Sequence, residues 1–363
     1  MHILMVAVEN GALPQAKVGG IGDVIRDVPR ALARAGHKVS VLTPGYQSLS
    51  QLPDSRMLLT LTVRFGNVLE TLSLYRIHMS DDEPGVQHYV LENPLFAACG
   101  VGAIYCHDAH EPFATDASKF ALFCTAACHA VVTGAIAAVD RLHLHDWHAA
   151  LVLLLRQYDP AYRVLKRIPA VYTIHNLSLQ GVRPFAGNWS SPTAWFPQLH
   201  YDRTMVADPR HGDCINLMRT GINLADQVHV VSPRYAAEIL LPSHPELGLV
   251  RGEGLEPDLM RLSGSGRLHG ILNGCDYDDD ARLPRKPSRT QLLDAAKAAL
   301  MQWVGNRITI PAAWFYAEQR LQEMRMLKQR EAMVVASVGR LTPQKVRLLQ
   351  VQLGPGRYVI DDL

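Results

Sequence analysis

The chain has 363 residues, of which 48% are hydrophobic and 19% charged, and its formal net charge is +2. That balance is ordinary for a folded globular protein and gives no strong pull toward nucleic acid or a membrane surface, so neither is expected as a partner. The length allows two or three domains; six cysteines without a paired CxxC spacing suit a reducing compartment, and the N-terminus lacks a basic and then apolar leader, so the cytoplasm is the expected location.

Residues 3–8 are an unbroken apolar run, the pattern of a central parallel strand buried on both faces. A glycine-containing loop leads through Gly20 to an amphipathic helix from Asp23 to Arg34, where Pro29 is expected to kink or restart it. Residues 38–43 form the next strand, completing a βαβ unit. Residues 57–65, 68–79 and 86–91 look like short strands of an inserted meander. A long helix is predicted over 114–138, where Cys124 and Cys128 suit buried thiols. A strand over 141–145, a helix over 147–157 and a strand over 170–174 follow.

Residues 178–212 are rich in Gly and Pro and are expected to be irregular. A short helix over 213–221, a strand over 227–231, a helix opened by Pro233 and a strand near 270–272 come next. Residues 276–290 have the composition of a loop or hinge, and 291–304 and 312–332 are helical in pattern. The apolar run 334–338 is one more buried strand, with little chain after it to supply neighbours. The alternation predicts an α/β fold with a doubly wound parallel sheet.

In such a sheet, ligands bind beyond the carboxyl ends of the strands, and four polar groups fall there. The first is Lys17 to Val24, whose glycines and helix start suit a phosphate or diphosphate; Glu9 stands at the end of the preceding strand. The second is His143-Leu144-His145-Asp146-Trp147-His148. Asp146 there reads either as a helix cap or as a ligand contact, and the HxH spacing invites a metal that no further partner of helpful spacing supports. The third is His175-Asn176 at the end of a buried strand, with Asn176 either capping the turn or holding His175. The fourth is Arg340 with Lys345, two cations on a loop that suit a diphosphate.

Together these runs resemble the bacterial glycogen synthases and plant starch synthases of ADP-glucose type. The resemblance rests on six ordered segments: Lys17 to Val24, His143 to His148, Thr173 to Gly181, Ala225 to Pro233, Gly270 to Asp276 and Arg340 to Lys345. It implies a GT-B glycosyltransferase that needs no metal or other cofactor. The implied reaction moves glucose from ADP-glucose to the non-reducing end of an α-1,4-glucan such as glycogen, with retention. Carried over, Lys17, Gly19 and Gly20 meet the donor's phosphates and glucose, and His175 meets the transferred sugar. Arg340 and Lys345 stabilise the departing ADP, while Asp146, Asp23 and Glu9 are donor- or acceptor-side contacts. The expected organisation is a glucan and donor-sugar domain over 1–285, a helical linker over 286–332, and the start of a nucleotide-binding domain over 333–363, most of which is expected to be missing. A glucan-binding remnant without activity, or a different nucleotide-sugar donor, are the alternatives.

Overall fold

The computed structural model of the chain describes residues 1–80, 83–244, 249–274, 287–305, 310–327 and 352–358. It falls into two units, Met1–Asn273 and Gly274–Leu363. The predicted strand 334–338, Arg340, Lys345 and the expected boundary near 285 all lie outside the described residues.

The first unit is built on a nine-stranded sheet. In chain order its strands are β1 (His2–Val6), β2 (Lys38–Pro44), β3 (Ser55–Phe65), β4 (Val68–Ile77), β5 (Val86–Glu92), β6 (Arg141–His145) and β7 (Ala170–Ile174). After β8 (Val182–Pro184) and β9 (Cys214–Asn216), which pair with each other in a separate ribbon, come β10 (Gln227–Val230) and β11 (Leu268–Gly270). The spatial order is β11-β10-β7-β6-β1-β2-β5-β4-β3. Every neighbour from β11 to β5 is parallel, while β4 and β3 run antiparallel at the edge. The three strands expected as a meander are therefore continuous with the main sheet.

Helices cover both faces, as the apolar runs require. The side chains of β1 alternate between two cores. Ile3 and Met5 pack with Val39, Val41 and Ile25 of α1 (Gly20–Arg34). Leu4 and Val6 join the larger core with Leu42, Leu144 and the residues of α2 (Ala114–Val132) and α4 (Leu151–Tyr158). Between β6 and α4 lies one turn, α3 (Asp146–Ala149). α1 runs through Pro29 as one helix, so the restart expected there does not occur. The ladder bond that proline forfeits is offset by burial of Val24, Ile25 and Pro29 itself.

Other boundaries shift. α2 ends at Val132, and a helix at Glu256–Gly264 was not foreseen. The helix expected over 213–221 forms at Leu217–Leu224, capped by the Asn216 side chain on the Arg219 N–H. Cys99 and Cys106 are disulfide-bonded, a pair that the expectation of a reducing compartment did not anticipate. No helix among the described residues is long and apolar enough to cross a membrane.

In the second unit, helices Arg289–Gly305 and Ala312–Met326 are joined by ion pairs, Lys297 with Glu318 at 3.0 Å and Arg325 with Asp294. The segment Gly354-Pro355-Gly356 turns a small antiparallel hairpin.

Leu144 is fully buried at the centre of the sheet. Leu144→Ala is expected to cost about 2–5 kcal/mol by urea unfolding, whereas Val68→Ala on the exposed edge should stay within about 0.5 kcal/mol.

Candidate functional site

Parallel pairing sets the ends of β1, β6, β7 and β10 side by side. Val6 pairs with Leu144, His145 with Thr173, and Ile174 with Val230. The loop after β1 and the loop after β7 therefore open on the same edge.

The loop after β1 is ordered by Glu9. This carboxylate is 2% exposed. One oxygen accepts the N–H groups of Val18 at 2.8 Å and Gly19 at 2.6 Å, and the other accepts the Tyr105 hydroxyl at 2.8 Å. Glu9 thus shapes the loop, and its described bonds are spent on the protein. Gly19 is the extended N-cap of α1 and offers no side chain to the first turn, so the helix start has backbone donors without a side-chain cap. The ammonium of Lys17 meets Asp23 at 2.5 Å, and Arg26 meets the same carboxylate at 3.3 Å. At Gly22 a Cβ would stand 2.7 Å from Lys17 Cγ, so a larger residue would push the lysine stem aside.

The second cluster is tied together by Asp146. Its backbone takes the left-handed conformation, with φ 54°, which few non-glycine residues adopt. That turn sends the buried carboxyl across to β7, where it accepts the N–H of His175 at 2.7 Å and that of Asn176. It makes no cap on α3, whose N-cap residue is His145. Asn176 caps its own turn by accepting the Ser178 N–H at 3.0 Å. His145 Nδ1 and His175 Nε2 share a hydrogen bond of 3.0 Å. A second chain runs from His143 Nε2 to Thr173 Oγ1 at 2.7 Å and from there to His229 Nδ1 at 3.0 Å. His148, buried, lies with its ring 5.5 Å from that of Tyr105.

Burial dominates the electrostatics. It pushes His143, His148 and His175 down to about 3, with neighbouring imidazoles adding to the effect, and His145 well below the ordinary range. These rings are neutral near pH 7. Burial raises the Asp146 carboxyl to about 7 against the pull of the two N–H groups it accepts, and the charge of Glu9 raises it further. That influence links the two loops. Nε2 of His145 and Nδ1 of His148 are buried and have no hydrogen-bond partner. Such orphans are uncommon in folded proteins. No three His, Cys, Asp or Glu groups among the described residues are arranged to hold a metal ion.

Of the residues singled out from the sequence, Glu9, Lys17, Gly19, Gly20 and Asp23 gather in the β1–α1 loop and the first turn of α1. Asp146 and His175 meet at the β6–β7 edge. Tyr105, Thr173 and His229 escaped the sequence reading as site residues. Tyr105 stands 96 positions from Glu9 in a loop without periodicity, so nothing local marks it. The lone lysine of α2, Lys119, was a usable signal: a charge inside an otherwise apolar helix must find a partner, and Asp116 lies one turn before it at 2.8 Å.

The family description "starch synthase catalytic domain" matches residues 2–261. A glycogen synthase of Anaeromyxobacter sp. is 33% identical over the whole of this chain and 71% of its own length. Another, from Aeromonas hydrophila, is 30% identical over 77% of this chain and 53% of its own. The chain thus spans about half to 71% of these curated relatives. Among solved structures, the catalytic domain of starch synthase IV from Arabidopsis thaliana, bound to ADP and acarbose, superposes with a TM-score of 0.63 at 24% identity. It covers 89% of this chain and 66% of that one, a likeness of fold.

The buried imidazoles set the acid response. Unfolded, each binds a proton near pH 6.5; folded, they bind only near 3 or below, so the unfolded state holds more protons between those values. Stability must fall as pH drops through that window, by about 1.4 kcal/mol per unit for each histidine at most. Asp146 works the other way between 3.8 and about 7, but it is one group against four. The urea midpoint should therefore be lower at pH 5 than at pH 7, and His143→Gln should flatten that difference. An equal or higher midpoint at pH 5 would contradict this account.

Proposed function

We infer the function from one premise: this chain belongs to the starch synthase catalytic domain family, which includes the bacterial glycogen synthases. On that premise it is a glycosyltransferase. We propose that it transfers glucose from ADP-glucose to the non-reducing end of an α-1,4-glucan, glycogen in a bacterium, with retention at the anomeric carbon. The cytoplasm is the proposed location.

The observation that carries the reading is the placing, at one edge of the sheet, of an amide-lined glycine loop after β1 and a neutral His175 after β7, with β6 between them. An anionic donor suits the loop. The backbone donors at the start of α1 favour negative charge, and Lys17 adds a mobile cation. Gly19 and Gly20 allow phosphate or sugar oxygens to approach the main chain. Asp23 steadies Lys17 when no donor is bound.

His175 suits the sugar. Glucosyl transfer passes through a transition state with positive charge at the anomeric carbon. A protonated imidazole would oppose that charge, whereas the neutral ring, oriented by His145, exchanges hydrogen bonds without opposing it. Asp146 fixes the position of His175 through the backbone. By resemblance, Arg340 and Lys345 would neutralise the departing ADP, so the chemistry calls for no metal or other cofactor.

Incubation with radiolabelled ADP-glucose and glycogen tests the proposal. Label should enter the polymer, and the same incubation with UDP-glucose should give much less. Lys17→Ala and His175→Ala should each lower incorporation by about a hundredfold or more. Incorporation from neither donor by a chain with native circular dichroism would sink the proposal, and an undiminished His175→Ala would sink the role given to that residue.

A further inference from the structure

We propose that Trp189 is a glucan platform: its outward indole takes a glucose ring of the α-1,4-glucan by stacking, and the Glu111 carboxylate at the edge of the indole accepts hydroxyls of the same sugar. The proposal rests on the reading of the chain as a glucan-elongating enzyme, but binding of glucan can be measured without any donor.

The sequence puts a large aromatic side chain at an outward position of a fastened loop. Trp189 is 54% exposed, while Ser190 and Ser191 after it are fully buried. Ser190 Oγ donates to the Ala114 carbonyl and Ser191 Oγ to the Asn188 carbonyl, both at 2.6 Å. On the other side, the Asn188 amide oxygen accepts the Ser190 N–H at 2.7 Å and a guanidinium N–H of Arg183 at 3.1 Å. Arg183 is buried and also donates to the carbonyls of Ser190 and Pro112, each at 3.0 Å. The indole is fixed as well. Trp189 Nε1 donates to one Glu111 oxygen at 3.2 Å, and Asn188 Nδ2 donates to the other at 3.0 Å. A single exposed apolar side chain is ordinary on a protein surface. Here both the flanking backbone and the ring nitrogen are held, so much of the ordering cost of binding is met before a ligand arrives.

The chemistry suits a neutral sugar. A pyranose presents a face of C–H groups and a rim of hydroxyls. The indole offers a broad apolar face to the first. Glu111, 46% exposed, has lone pairs left for the second, since each of its oxygens accepts one described hydrogen bond. Arg183 is buried, so the charge that faces water is that of the carboxylate, which favours a glucan over an anionic donor. The place suits an acceptor. Shortly after Glu111, the Phe113 ring stands 5.6 Å from that of Trp147, the neighbour of Asp146. Gly181, between the His175 turn and Arg183, lies against the same indole, where a Cβ would stand 2.4 Å from the Trp147 ring. The loop of Trp189 and the turn of His175 thus rest on one side chain, and the platform flanks the proposed site where the glucan behind its non-reducing end runs outward.

Affinity electrophoresis of the full chain in native gels containing glycogen, without ADP-glucose, tests the platform. Glycogen should retard the wild type, and maltoheptaose should compete. The dissociation constant for glycogen should rise about tenfold for Trp189→Ala, the order expected on truncating an aromatic anchor, and less for Trp189→Phe, which keeps a smaller ring. Val68→Ala, on the exposed edge strand, should migrate as the wild type does. In the wild type alone, maltoheptaose should shield Trp189 from oxidation by N-bromosuccinimide, read by peptide mass spectrometry. Equal oxidation of Trp189 with and without maltoheptaose would overturn the proposal whether or not the variants fold. A wild type that glycogen does not retard, or equal retardation of a folded Trp189→Ala, would overturn it too. Retardation through Trp189 in a chain that transfers no label would uphold the platform and refute the proposed activity, and transfer with Trp189 unshielded would do the reverse.

Discussion

The hydrogen bond from the His175 N–H to the Asp146 carboxyl is the interaction on which the site depends. It crosses from the end of β7 to the end of β6 and closes the step between two parallel strands. Asp146 reaches it only by taking a left-handed backbone, and the cost of that conformation is carried by the sheet on one side and α3 on the other. With the main chain of 175–176 held in this way, the imidazole of His175 is free of any duty to its own turn. It can be oriented by His145 alone, and the turn beyond it is left to Asn176 and Ser178.

Both loops follow one pattern. In each, a buried carboxylate accepts backbone N–H groups of the loop and leaves the functional side chain beside it available. Glu9 does this for the loop that carries Lys17, and Asp146 does it for the one that carries His175. A carboxylate that accepts main-chain donors is a strong and directional support, since both lone-pair geometry and charge are satisfied. This explains why Asp146 stands inside a motif, and Glu9 just before one, while each spends its described bonds on the protein.

Much of the architecture was legible because burial on two faces leaves an unmistakable mark. The run 3–8 carried that mark most clearly, 141–145 and 170–174 were also read as strands, and the polar residues fell at their carboxyl ends. The edge was less legible. Residues 57–92 alternate like any antiparallel segment, and nothing in alternation says whether such strands join the main sheet or stand apart. The restart expected at Pro29 does not occur for a related reason, since the effect of a proline on a helix depends on what the surrounding face buries. Long-range contacts were out of reach. The bond of Tyr105 to Glu9 and the disulfide of Cys99 with Cys106 depend on how an aperiodic loop folds back, and no local pattern encodes that.

The pairing of Lys17 with Asp23 bears on how such a site can be both ordered and receptive. The two side chains are 43% and 40% exposed, and an ion pair in that setting contributes about 0–1 kcal/mol, because water already solvates both partners. A pair that weak is enough to point the lysine toward the start of α1 but too little to hold it there against a more highly charged anion. On the proposed function, a diphosphate would present more than one negative charge and would meet backbone donors from α1 at the same place, so the exchange of Asp23 for the donor would run downhill. Gly22 belongs to the same device. It lets the aliphatic stem of Lys17 lie against the backbone of α1 so that only the ammonium has to move. The rigid part of the loop is thus its main chain, fixed by Glu9, and the adaptable part is one terminal ammonium.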